Sequence, residues 1–121
     1  MKKIIIINGP NLNLLGNRET DVYGKVTLKE IETISLAKCK ELQIECFFCQ
    51  SNNEGEMINY IHSSEKEYQG LIINPAAFTH TSVALLDALR SVSIPKIEIH
   101  LSNIYNREDY RKKSIRRAIR I

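Results

Sequence analysis

Blocks of consecutive apolar residues alternate with helix-like patterns four times along this chain of 121 residues. The first block, from Lys3 to Asn8, contains four isoleucines in a row, which is typical of a strand buried on both faces. Further strands are predicted near residues 44–50, 71–74 and 95–99. Because parallel strands need crossover connections, this alternation predicts an open, doubly wound α/β sheet with helices on both faces.

Three helices are predicted between these strands. Thr27 and Glu30 have the spacing of a capping box, which opens the first of them. A further short, charged helix is expected near Arg107. The apolar residues at roughly helical spacing are, in chain order, Leu28, Ile31, Ile34 and Leu42, then Met57, Ile58 and Ile61, then Val83, Leu86, Leu89 and Val92.

The composition favours one globular domain in the cytoplasm. Hydrophobic residues make up 43% and charged residues 26%, close to the averages for such domains. The run Ile4–Ile7 is far shorter than the ~18 residues of a membrane span, and no membrane association is expected. An odd number of cysteines without a secretion signal indicates reduced thiols. Cys46 and Cys49 form a C-x-x-C, but on a strand they point to opposite faces, so they are interpreted as buried structural residues.

The positive charge is concentrated at the end of the chain. Residues 111–121 contain six lysines and arginines and no acid, and removing these six from the net charge of +3 leaves −3 for residues 1–110. The positive net charge therefore comes from the tail and says little about the rest of the chain. It leaves open a function of a different class, a binding module whose tail contacts nucleic acid or an acidic partner.

Polar side chains follow each predicted strand. In open α/β sheets, ligands bind beyond the carboxyl ends of the strands, near the point where the strand order reverses. Amides and imidazoles at this edge suit a small polyhydroxylated ligand, although any single asparagine there is also ordinary turn chemistry. The segments concerned are Asn8–Asn13, Gln50–Asn53, Asn74 with His80, and Glu98, His100, Ser102 and Asn103.

The sequence gives stronger evidence of a functional role for His100 than for His80. Glu98 and His100 lie two residues apart and share one face of a strand. A carboxylate beside an imidazole fixes its tautomer and favours its protonated form, which makes it a proton donor. His80 stands near a helix start, where capping or local hydrogen bonding is an equally good interpretation.

The polar segment Leu14–Val26 is long for a loop in a small domain and is bracketed by Gly16 and Gly24. Loops of this kind are often active-site lids. It carries Arg18 and Tyr23, and an adjacent cation is what a tyrosine needs to act as a base. A solvated arginine and a surface tyrosine remain the alternative.

The sequence has no Gly-x-Gly-x-x-Gly, no Walker A motif, no Gly-x-Ser-x-Gly and no metal-ligand spacing. Lys96 lies at the start of its strand, which is the wrong end for a Schiff-base lysine. We therefore expect a site without metal or cofactor.

Several segments in order resemble the type II 3-dehydroquinate dehydratases. Arg18 and Tyr23 fall at the lid positions of that family, and the resemblance spans residues 3 to about 114. The segments are 7–16 (INGPNLNLLG), 50–55 (QSNNEG), 74–85 (NPAAFTHTSVAL), 98–103 (EIHLSN) and 107–111 (REDYR).

The resemblance implies a flavodoxin-like fold and a dodecamer built from trimers. The reaction would be trans-elimination of water from 3-dehydroquinate to give 3-dehydroshikimate, without metal or cofactor and without a nucleic-acid or membrane partner. The whole chain, 1–121, would be one catalytic domain. Beyond the region of Ser114 it departs from the family pattern, so we expect it to be short of the family's last strand and helix, with a divergent basic tail from about residue 115.

The resemblance also implies roles for individual residues. Tyr23 would remove the proton next to the ketone, and Arg18 would stabilise its phenolate. Asn11 would stabilise the enolate, and His100, oriented by Glu98, would protonate the departing hydroxyl. The expected substrate-binding residues are Asn74, His80, Leu101, Ser102 and Arg111, together with Asp87, which would reach the site of a neighbouring subunit.

Overall fold

The computed structural model describes residues 1–17 and 25–101. Among the helices in this part of the chain, none combines the length and apolar composition needed to cross a membrane. The helix expected near Arg107 lies outside the described residues. The elements are β1 (Lys2–Asn8), α1 (Leu28–Glu41), β2 (Ile44–Gln50), α2 (Glu54–Glu67), β3 (Gly70–Asn74), α3 (Val83–Ser91) and β4 (Lys96–Glu98), with 3₁₀ helices at Leu12–Leu14 and Ala76–His80.

The four strands form one parallel sheet in the order β2-β1-β3-β4. This confirms the predicted open α/β architecture. The chain first steps from β1 to one side and then crosses to β3 on the other side. The strand order therefore reverses between β1 and β3, which is where such sheets bind ligands.

Each main helix begins at a residue whose side chain caps it. Thr27 Oγ1 accepts a hydrogen bond from Glu30 N at 3.1 Å, as the predicted capping box requires. Asn53 caps α2 in the same way, and Ser82 caps α3 through Leu85 N at 2.9 Å. Such caps typically stabilise a helix by ~1 kcal/mol, so the three starts are set by local sequence.

The main core lies between one face of the sheet and the helices α2 and α3. Alternate residues of β1 and β3 point into it and meet apolar residues of the two helices. All of its largest side chains are at most 1% exposed: Ile5, Ile7, Leu71, Ile73, Met57, Ile61, Leu85 and Leu89.

Helix α1 packs against β2, the edge strand. Its apolar residues have helical spacing, but Ile34 is 67% exposed and Leu42, just past its end, is 55% exposed. Cys39 is its one buried residue. A helix over an edge strand has sheet beneath only part of its width, so helical spacing alone did not identify the buried positions.

The three cysteines are free thiols on two sides of the sheet. Cys49 belongs to the main core, whereas Cys46 meets Cys39 of α1 on the other face. This confirms that the C-x-x-C does not converge on one point. Burial, with Glu56 nearby, raises the pKa of Cys49 to about 12, and burial and the nearby Cys39 also raise the pKa of Cys46.

We therefore expect Cys49 to react slowly with iodoacetamide in the native protein at pH 8. A pKa of about 12 instead of 9.0 lowers the thiolate fraction from about one tenth to about one ten-thousandth. Because the native state keeps this proton above pH 9, the free energy of unfolding should fall as the pH rises from 9 towards 12. Mass spectrometry after timed labelling, with urea-unfolded protein as the control, tests the first expectation. Rapid native labelling of Cys49 would contradict it.

Candidate active site

The carboxyl ends of the three longest strands lie level with one another. Asn8 at the end of β1 is in register with Gln50 of β2 and with Asn74 of β3. The chain continues this pairing past the strand ends, because Ser51 N donates to Asn8 O at 2.9 Å and Gly9 N donates to Asn74 O at 2.8 Å. The polar residues that follow β1, β2 and β3 therefore meet at one edge of the sheet.

Two of the asparagines at this edge are buried and serve the local structure. Asn8 is 3% exposed, and its Nδ2 donates to Cys49 O at 2.9 Å. Asn74 is also 3% exposed, and its Oδ1 accepts from Ala76 N at 3.1 Å. That bond fixes the turn after β3, where Ala76 has a φ of 52°. For Asn8, turn and sheet chemistry is thus the better interpretation.

Asn11 is placed differently, because its side chain is exposed at this edge. Its backbone is left-handed, with φ of 68°, and its N–H donates to Asn52 Oδ1 at 2.9 Å. The amide of Gln50 joins the same network through bonds to Gly9 O at 3.1 Å and to Asn52 Oδ1 at 3.0 Å. The loop after β2 therefore holds the loop after β1 in place, and this supporting role of Gln50 and Asn52 is visible only in the structure.

Gly9 allows the loops after β1 and β3 to touch. A Cβ atom at this position would lie 2.6 Å from Pro75 O and 2.7 Å from Pro75 C. Such contacts with backbone atoms leave no room for any side chain. The sequence shows Asn8-Gly9-Pro10 as a turn, but the neighbour that requires glycine comes from another strand.

Glu98 and His100 form a close pair at the end of β4. His100 Nε2 lies 2.6 Å from Glu98 Oε2, and the two side chains are 22% and 17% exposed. Glu98 is in register with Ile73, so the pair stands beside the end of β3. The alternation along the strand predicted a shared face, and the structure places the two groups in contact.

The other expected site residues of the described chain lie in three places. His80 ends the 3₁₀ helix after β3 and is half-buried. Leu101 follows His100 and is 39% exposed. Asp87 lies on the exposed side of α3. The α3 cap beside His80 is braced by Ser82 Oγ, which donates to Glu54 Oε2 at 2.5 Å.

The expected residues Arg18, Tyr23, Ser102 and Arg111 lie outside the described residues. The two ends of the segment that carries Arg18 and Tyr23 are nevertheless seen to meet. Gly16 is left-handed, with φ of 87°, and a Cβ there would lie 2.9 Å from both Lys25 O and Thr27 Cγ2. Gly16 therefore closes the base of this segment.

Replacing Gly16 with alanine is expected to lower kcat/KM by at least ~10-fold. The new side chain would be strained by its left-handed backbone, at ~1–3 kcal/mol, and would push the two ends of the segment apart. Steady-state kinetics with a thermal melt tests this. The matched control is Gly70→Ala, whose Cβ would make only ordinary contacts, at 3.5 Å with Ile4 Cγ2 and 3.9 Å with Pro95 O. Equal kinetics for the two variants would contradict the role given to Gly16.

Within residues 1–17 and 25–101, no group of three or more His, Cys, Asp or Glu side chains is arranged to hold a metal ion. The carboxyl edge holds a hydrogen-bonded amide network next to the switch point and, at the end of β4 beside β3, an imidazole–carboxylate pair. These features define an α/β domain suited to acid–base chemistry on a small polar molecule.

The comparisons with known proteins give this class a family. Residues 2–120 match the family Dehydroquinase class II, and the chain belongs to that family. It is 54% identical over 115 residues to a 3-dehydroquinate dehydratase of Clostridium botulinum (strain Okra / Type B1), covering 95% of this chain and 78% of that protein. It is also 54% identical over 114 residues to a 3-dehydroquinate dehydratase of Endomicrobium trichonymphae, covering 94% and 80%.

A solved structure agrees with these relatives. The type II dehydroquinase from Butyrivibrio crossotus DSM 2876 superposes with a TM-score of 0.93 at 44% identity, covering 97% of this chain and 82% of that one. The resemblance noted in the sequence is thereby confirmed. The alternative of a binding module with a nucleic-acid-binding tail finds no support in these comparisons.

Proposed function

We propose that this protein is a lyase that removes water from 3-dehydroquinate to give 3-dehydroshikimate, a step of the shikimate pathway of aromatic amino acid biosynthesis. The observation that carries the proposal is the Glu98–His100 pair at the switch-point edge of a chain that matches the dehydroquinase family over residues 2–120. A 2.6 Å contact between a carboxylate and an imidazole is the arrangement of a general acid.

In the proposed reaction, Tyr23 as phenolate takes the proton from the carbon next to the ketone. The electron pair of that C–H bond forms an enolate, which Asn11 stabilises. The enolate then expels the hydroxyl group at the neighbouring carbon as His100 protonates it, so that one water leaves and one C=C bond forms. Arg18 supplies the positive charge that keeps Tyr23 ionised near neutral pH.

The described geometry supports the role of His100 as acid. Nε2 of its ring is engaged by Glu98, so the remaining ring nitrogen is the one that can face the departing hydroxyl. Glu98 fixes the ring orientation. Both side chains are about four-fifths buried, so this contact is largely shielded from solvent.

The remaining expected residues would hold the substrate. Asn74 and His80 lie beside the end of β3, and Leu101 follows the acid directly. Ser102 and Arg111 complete the set, with the guanidinium suited to a carboxylate. No metal or cofactor takes part in the proposed reaction.

We propose further that the enzyme is a homo-oligomer, a dodecamer built from trimers, in which each chain is one catalytic domain. Asp87 would then reach the site of a neighbouring subunit, and its position on the exposed side of α3 supports this. The free thiols of Cys39, Cys46 and Cys49 support a cytoplasmic location.

The direct test is incubation of the purified full chain with 3-dehydroquinate, followed by ultraviolet absorbance. The product contains a C=C bond conjugated with a carbonyl, which the substrate lacks, so absorbance should rise with time. A His100→Ala variant provides the matched control. Folded protein that produces no absorbance change would overturn the proposed function.

Glu98→Gln is expected to lower kcat at least ~10-fold while leaving KM nearly unchanged. The amide removes the charged oxygen that holds the imidazole ring at 2.6 Å, so the proton donor is oriented less well. Glu98→Asp, which keeps the carboxylate, should recover part of the lost turnover. Wild-type kcat in Glu98→Gln, or no recovery in Glu98→Asp, would contradict this role of Glu98.

A further inference from the structure

Three sulfur-containing residues line one cavity on the α1 side of the sheet. The cavity has a volume of about 210 Å³, and its lining includes Met1, Cys39 and Cys46. Cys39 and Cys46 lie close enough for Cys39 to contribute to the raised pKa of the Cys46 thiol. Leu36 and Ile44 supply apolar walls, and Lys40 also belongs to the lining.

A tight turn brings the two thiols together. The amides of Leu42 and Gln43 donate to Lys38 O and Lys40 O, each at 3.0 Å, and Gln43 is left-handed with φ of 59°. The chain thereby reverses from the last turn of α1 directly into β2. Cys39 on the helix then faces Cys46, the third residue of the strand.

This cluster is separate from the candidate active site. Lys2 is in register with Ile44, so Met1 stands beside the start of β2, at the amino ends of the strands. The candidate active site lies at the carboxyl ends, six residues or about 20 Å further along β1. Cys49 belongs to neither place, because it faces the main core and its Sγ donates to Ile6 O at 3.5 Å.

We propose that Cys39, Cys46 and Met1 form a binding site for one thiophilic monovalent cation, with Cu⁺ as the physiological type. Thiolate and thioether sulfur are the donors that such soft ions prefer, and a cation accepted by two or three sulfurs needs no further protein ligand. Met1 is 88% exposed, so its side chain can move onto an ion held by the two thiols.

Binding replaces two protons with one ion. The thiol protons of Cys39 and Cys46 pass to solvent, two metal–sulfur bonds form, and Met1 adds a neutral donor. Neither sulfur nor metal changes oxidation state. The resulting complex of one M⁺ and two thiolates carries a charge of −1. Lys40 belongs to the cavity lining, and Glu32 is the nearby anion that contributes to the raised pKa of Cys46.

The test uses Ag⁺, a soft ion without redox chemistry, titrated into the full chain by calorimetry with a competing ligand. We expect one tight site per chain. Cys39→Ser and Cys46→Ser should each lower the affinity for Ag⁺ at least ~100-fold. Loss of a residue that only supports a metal ligand already costs up to ~100-fold in affinity, and these changes remove a ligand itself. Cys49→Ser is the matched control and should bind as the wild type does. Thermal melts establish that the serine variants are folded.

A second measurement does not depend on the variants. In protein labelled with [¹³C-methyl]methionine, Ag⁺ should shift the methyl signal of Met1 and leave that of Met57, which is fully buried in the main core. Tight binding that survives both the Cys39→Ser and the Cys46→Ser change, binding that requires Cys49, or a Met1 signal that does not move would each overturn the three-sulfur site. None of these readouts requires catalytic turnover, so the result is independent of the proposed function.

Discussion

Tyr23→Phe is expected to lower kcat at least ~100-fold while leaving KM and thermal stability nearly unchanged. The substitution removes only the phenolic oxygen, so the base is lost and almost no contact area changes. Steady-state kinetics on 3-dehydroquinate measures the effect, and a thermal melt monitors folding.

The matched control for this prediction is Tyr60→Phe. Tyr60 lies on α2 with its ring centroid 6.0 Å from that of Phe47, away from the strand ends. Removal of the Tyr60 hydroxyl should therefore leave turnover unchanged. Wild-type activity in Tyr23→Phe would exclude Tyr23 as the base, and an equal loss in both variants would point to a general effect on stability.

Gly9→Ala is expected to damage both stability and activity. Its Cβ would lie 2.6 Å from Pro75 O, so the loops after β1 and β3 must separate. Overpacking of this kind costs ~1–3 kcal/mol of stability. The loop after β1 carries Asn11, and a displacement of about 1 Å in a catalytic site can cost ~100-fold in rate. We therefore expect a lower Tm and a loss of kcat/KM of that order.

Gly70→Ala separates this steric effect from the general effect of adding a methyl group. Gly70 lies in β3, in the same sheet, and its added Cβ would make two ordinary contacts. It should be neutral in both measurements. If Gly9→Ala melts and turns over like Gly70→Ala, the two loops are not held at the separation that the structure shows.

Local patterns were sufficient for the elements and for one part of the site. The strands, the cap at Thr27, and the core positions Leu86 and Leu89 of α3 depend on residues within a few places of one another. The Glu98–His100 pair belongs to the same group, because side chains two apart in an extended segment share a face, although β4 itself ends at Glu98. Helical spacing was wrong at the start of α3, because Val83 is 57% exposed whereas Leu85, which the spacing left out, is fully buried.

Tertiary packing decided the features for which distant segments have to meet. Helical spacing placed Ile34 among apolar positions of α1, but α1 covers an edge strand and leaves it exposed. The glycine requirement at Gly9 comes from Pro75, and that at Gly16 from Lys25 and Thr27. These neighbours could not be identified from the residues that flank either glycine in the sequence.

By itself, the sequence determined the class of fold, the family and the residues that are proposed to carry out the reaction. It could do so because apolar periodicity, capping and short motifs are local properties. The tertiary structure alone decided which strand ends lie level, which amides brace Asn11, and that Cys39 meets Cys46 while Cys49 does not. These are contacts across 7 to 66 residues of chain, and their free energy depends on strand order, register and close packing, none of which is encoded at a single position.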